Sequence, residues 1–184
     1  MRRVRSCLFC REATPVTDEE CDQLRMKRIE ANDPVAICFE GLLHYNKGDY
    51  SKAFEYYTKA TKLGDVEAHY ELSILYRDGK GVDEDEGEQI HHMEEAAIGG
   101  HPEARYNLGN YEWNNMNNGD KERAVKHWII SATQGCDSSI KALLEGFRQA
   151  YVEKEVLAAA LRAHQAAVDA TKSPQRKAAE EADE

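Results

Sequence analysis

Small and apolar residues along this chain fall at helical spacing, and the pattern they make repeats as a whole. The stretch from Tyr57 through Ala60 and Gly64 to Ala68 returns from Met93 through Ala96 and Gly100 to Ala104, and more loosely from Trp128 through Gly135 to Ser139. Gly64 to Gly100 is 36 residues, and Gly100 to Gly135 is 35. Leu72, Leu108 and Leu143 each lie eight residues past the glycine, while Tyr57, Met93 and Trp128 each lie seven before it. A helical unit of this length cannot bury its own apolar face and must stack on neighbours, so the register predicts an all-α solenoid.

Start and stop signals place the helices. Thr17-Asp-Glu-Glu20 is a capping box, in which the threonine hydroxyl and the third-position glutamate satisfy free amides, and it opens a helix over Asp18 to Ala31. Asn32-Asp33-Pro34 ends that helix and begins the next, with proline at a first helical position. Helix pairs are expected at Pro34–Asn46 with Tyr50–Leu63, Val66–Asp78 with Glu86–Ile98, and Pro102–Asn114 with Lys121–Gln134. Ser138–Tyr151 opens a fourth unit, and the alanine-rich Glu153–Ala170 suits a helix that closes the stack. Gly64, Gly100 and Gly135 stand where a helix ends in a left-handed residue. The expected segments are therefore an irregular start (1–16), a leading helix (17–32), the repeat array (33–151), a capping helix (152–172) and a disordered acidic tail (173–184).

Charge and cysteine content narrow the function classes. The 184 residues carry 24 basic and 34 acidic side chains, a net charge of −10, which argues against nucleic-acid partners because phosphate contact needs a basic surface. No apolar run approaches the ~20 residues that span a bilayer, and the apolar run behind Met1 to Arg5 is too short for a signal peptide, so no membrane partner is expected. Five cysteines, three of them isolated, suggest no disulfide framework and an intracellular setting, cytoplasmic or nuclear.

The second unit carries a nameable likeness. Ala68, Leu72, Tyr76 and the run Asp78-Gly79-Lys80-Gly81-Val82, followed by Ala96, Ala97 and Gly100, resemble the Sel-1-like repeat, a relative of the tetratricopeptide repeat. Ala104, Leu108, Gly109, Ala132 and Gly135 keep the likeness in the third unit. Glu40 breaks it in the first, where an apolar residue is expected. The resemblance implies a right-handed α-solenoid of antiparallel helix pairs, acting as a non-enzymatic adaptor or scaffold for other proteins or peptide segments. If the first helix of each unit lines the binding face, as in tetratricopeptide relatives, the partner-facing residues are Tyr70, Ile74 and Arg77, and their equivalents Tyr106, Asn110 and Trp113. The competing reading is that these aromatics seal adjacent helices.

Metal and catalytic chemistry find little support. Cys7-Leu-Phe-Cys10 is similar to the last ligand pair of a RING-type zinc finger, but two thiolates are half of a tetrahedral site. Zinc is expected only if the missing ligands come from elsewhere, and the alternative function is then the substrate-recognition arm of a truncated RING-type ubiquitin ligase. His91 and His92 point about 100° apart on a helix and read as a solvated face. Cys136 near His127 lacks an orienting group, so no catalytic residue is expected. The acidic run Asp83 to Glu88 reads as a solvated helix start.

Overall fold

The computed structural model describes residues 17–115 and 119–171. Among them nine helices follow in order: α1 (Asp18–Glu30), α2 (Pro34–Asn46), α3 (Tyr50–Thr61), α4 (Val66–Asp78), α5 (Glu86–Ile98), α6 (Pro102–Asn114), α7 (Lys121–Thr133), α8 (Asp137–Arg148) and α9 (Lys154–Thr171). The fold is all-α, with no strand among the described residues. Cys7, Cys10 and the acidic tail lie outside the described residues.

Local chemistry explains the boundaries. Thr17 Oγ1 accepts from the Glu20 amide at 3.2 Å while the Thr17 amide donates to Glu20 Oε2 at 2.8 Å, completing the capping box. The first helix of every unit begins on a capping position: Asp33, Asp65 and His101 each accept a backbone amide, and Cys136 stands in the same place with no side-chain bond. The residue before each cap is left-handed, with φ of +83° at Gly64, +92° at Gly100 and +89° at Gly135, and +56° at Asn32. Sequence reasoning carried the eighth helix to Tyr151, but it ends at Arg148, because Ala150 takes a left-handed φ of +63° and turns the chain.

The chain forms two compact units, residues 1–92 and 93–184, with the boundary inside α5. In the first, α1 packs on α2, α2 on α3 and α3 on α4, around a core that includes Ile37, Tyr57, Leu72 and Leu75, none more than 1% exposed. In the second, α6 packs on α7, α7 on α8, and α9 on both α7 and α8, around Trp128, Leu143 and Leu157. Close approach depends on small residues opposite large ones. A methyl added to Gly41 would lie 2.7 Å from the Tyr57 ring, and one added to Gly109 would lie 2.5 Å from the Trp128 indole.

The eighth-position residue shows why the pattern repeats. Leu72 sits among Ala53, Tyr57 and Ala60 of α3, and Leu143 among Trp128 and Ala132 of α7, so α4 covers α3 and α8 covers α7. Burying one such leucine contributes about 1.5–3 kcal/mol from removal of apolar surface from water.

Candidate protein-interaction site

On α4 the buried stripe is Ala68, Leu72, Ser73 and Leu75. Tyr70 and Ile74 are half-buried and Arg77 is exposed, at steps of four and three residues that keep them on one side of the helix. Arg77 does not stand free: its Nε donates to Asp78 Oδ1 at 2.8 Å, and the side chain is 52% exposed. The bond with Arg77, and then Lys80, holds the Asp78 carboxyl below the usual carboxylate range. Lys80 links this end of α4 to the first hairpin. Its ammonium donates to Tyr45 Oη at 3.1 Å and to Asp78 Oδ2 at 3.0 Å, and lies over the Tyr45 and Tyr50 rings at 5.3 and 5.6 Å. The neighbouring Gly81 is required, since a side chain there would strike the Tyr50 backbone carbonyl.

On α6 the buried stripe is Ala104, Leu108 and Gly109, and Tyr106, Asn110 and Trp113 are half-buried. Tyr106 and Trp113 pack against the unit's core. The Trp113 ring lies 4.9 Å from Trp128 and meets Tyr151 edge-on at 5.1 Å, while the Lys121 ammonium sits 4.1 Å over it and donates to the Trp113 carbonyl. Trp113 is thus a clamped aromatic with a packing role. The two triplets belong to separate units, Tyr70, Ile74 and Arg77 in one and Tyr106, Asn110 and Trp113 in the other.

Other candidates resolve into structural parts. His92 is not on a solvated face: its side chain is 13% exposed, its Nδ1 is 2.9 Å from His69 Nδ1, and it stacks on Tyr76 at 5.7 Å. Burial first, then the His69 and His91 imidazoles, push its pKa down to about 4. His91 is exposed as expected, and so are residues 83–86 and 88 of the acidic run, with Asp85 capping α5 through the Glu88 amide at 3.0 Å. Cys136 is buried at the start of α8. Among the described residues no group of three or more His, Cys, Asp or Glu side chains is placed to hold a metal ion.

Sequence reasoning missed the partner of Glu40. Arg25 of α1 donates from Nε to Glu40 Oε2 at 2.7 Å, with the two side chains 14% and 12% exposed. The misfit at Glu40 was legible as a misfit; the arginine answering it lies fifteen residues away on the leading helix α1.

The Sel1 repeat profile matches residues 36–65, 66–101 and 102–136, more than half of the chain. The chain belongs to the Sel1 repeat family. The second and third matched repeats begin on the first residues of α4 and α6. Among solved structures, the Sel1 chain is similar to c5321, a protective antigen of uropathogenic Escherichia coli strains with an SLR fold, at 25% identity and a TM-score of 0.66. That likeness covers 82% of this chain but spans only 33% of the antigen. A Sel1 repeat protein from Oxalobacter formigenes shares the fold at 24% identity and a TM-score of 0.61, over 67% of this chain and 96% of that one. Sel1 repeat proteins generally mediate interactions between proteins. No helix among the described residues is long and apolar enough to cross a membrane.

Proposed function

We propose that this Sel1 chain is a non-enzymatic adaptor that holds another protein, or a segment of one, against the first-helix faces of its repeats. Tyr70, Ile74 and Arg77 on α4 form one contact surface, and Tyr106, Asn110 and Trp113 on α6 form another. The observation that carries this reading is that the same three repeat positions in both units remain partly open to solvent, opposite a stripe of buried alanine and leucine. Tyrosine, tryptophan and arginine at such positions supply large contact area at small entropic cost. The clamp on Trp113 fits this use, because an aromatic already fixed by Trp128, Tyr151 and Lys121 loses little freedom when a partner covers its exposed part. Cys38 and Cys136, which stand in no disulfide, suit an intracellular setting. The ligase-arm alternative has only Cys7 and Cys10 behind it, two ligands where a zinc finger takes four.

The test begins with capture of partners by the full chain from native extract, followed by titration of the purified partner. Tyr70→Ala and Arg77→Ala should each weaken binding about tenfold or more, roughly 1.4 kcal/mol, while leaving the melting temperature nearly unchanged. Full affinity in both variants, or crosslinks confined to other helices, would overturn the assignment of this face.

A further inference from the structure

The repeat step that carries Gly100 to Gly135 also carries Tyr106, Asn110 and Trp113 of α6 to Lys141, Glu145 and Arg148 of α8. Both helices belong to the second compact unit. They meet near their ends: a methyl added to Gly146 of α8 would lie 3.9 Å from Cη2 of Trp113, and Tyr151, just past α8, touches the same ring edge-on. The α6 row is half-buried and the α8 row is exposed. The α6 contact surface therefore continues, at the same repeat positions, from a row of aromatic and amide groups to a row of charges.

Asn110 lies between the two rings, four residues past Tyr106 and three before Trp113. Asn114 donates to its backbone carbonyl at 2.9 Å, but the Asn110 carboxamide has no hydrogen-bond partner among the described residues. A carboxamide carries donor and acceptor in one plane, as a peptide group does, so an extended backbone can satisfy both at once. A helical segment cannot, because its own turns consume those groups. The charges nearby select further. Lys121 sits over the Trp113 ring, and Lys141 is exposed and in no ion pair among the described residues. Glu145 already accepts from Arg148 at 3.2 Å and from Gln149 at 2.8 Å, and Glu103 stands at the other end of α6, 3.7 Å from His101. Cations thus lead on this face, in a chain whose net charge is −10.

We propose that the α6 and α8 face binds an extended peptide segment of another protein, one that carries an apolar side chain and, about three residues away, an acidic one. The apolar side chain rests on Tyr106 and Trp113, the Asn110 carboxamide pairs with the segment's backbone, and Lys141 takes the carboxylate. The spacing follows from geometry: packed helices lie about 8–10 Å apart and an extended chain advances about 3.3 Å per residue. The proposal rests on the reading of α6 as a contact surface and adds what covers it.

The probe is a phage-displayed library of random linear peptides, selected on the immobilised full chain, with enriched sequences then synthesised and titrated by fluorescence anisotropy. Enriched peptides should pair an apolar residue with an acidic one at the stated spacing. Asn110→Ala and Lys141→Ala should each weaken their binding at least fivefold while thermal melts stay unchanged, and selection on the Lys141→Glu chain should replace the acidic residue with a basic one. N-methylation of the backbone beside the apolar residue should weaken binding to the unaltered chain but not to Asn110→Ala. No enrichment, enrichment without acidic residues, or full affinity in folded Asn110→Ala and Lys141→Ala chains would overturn the proposal. A partner from native extract that crosslinks to α6 yet binds those two variants with full affinity would overturn it too, while leaving α6 a contact surface.

Discussion

The seam between α1 and α2 and the seam between α3 and α4 have the same place in the repeat and opposite chemistry. One is closed by Arg25 and Glu40 with a single buried isoleucine beside them, the other by Tyr57 and Leu72 among alanines that are fully buried. The difference teaches that the repeat register fixes where helices meet, while the residues at two positions decide how firmly. An apolar seam resists salt and tolerates no vacancy; an ionic one is weakened by salt and leaves a surface that water can solvate.

The largest expected effect lies on the apolar side. Leu72→Ala should cost about 3 kcal/mol, the lost transfer energy plus a cavity under α3, whereas Arg25→Ala at the equivalent seam should cost clearly less than that and its cost should shrink in salt. Urea titrations of both variants at low and high salt measure this. Equal costs with equal salt response would erase the contrast.

A second test uses acid and the His69–His92 contact, also between a first and a second helix. His92 has a folded pKa near 4, below its ordinary 6.5, because it is buried against His69 and flanked by His91, with Glu88 4.0 Å away and Tyr76 stacked on it. A depressed histidine favours the fold while it stays neutral. Its stabilisation is whole above pH 6.5 and is lost as pH falls toward 4, roughly 2 kcal/mol by pH 5. His92→Gln should flatten that acid limb in stability measurements between pH 7 and 5; an unchanged slope would place the acid sensitivity elsewhere.

The smallest effect sharpens the picture at the far end. Ala150 holds a φ of +63°, at the point after α8 where Gly48 follows α2 and Gly79 follows α4. Ala150→Gly should raise stability by about 0.5–1 kcal/mol, read as a small rise in melting temperature.

These cases also show what was legible in the sequence. The starts of α2 through α7 could be read from caps, prolines and glycines because those signals act within a few residues. The stop at Arg148 could not, since alanine carries no left-handed signal; the turn at Ala150 brings Val152 back against Gly146, where an added methyl would lie 2.9 Å from it. Candidate binding positions on α4 and α6 followed from the repeat register, yet the clamp on Trp113 did not, because Lys121 and Trp128 of α7 and Tyr151 after α8 converge on it from two other segments. The ion pair of Arg25 with Glu40 was hidden for the same reason: long-range pairing has no local pattern.

The most direct measurement is amide hydrogen exchange of the full chain, followed by mass spectrometry, at low and at high salt. The account predicts that α1 amides lose protection as salt rises while α4 and α8 amides keep theirs. Protection of α1 that equals that of α4 and does not respond to salt would contradict it.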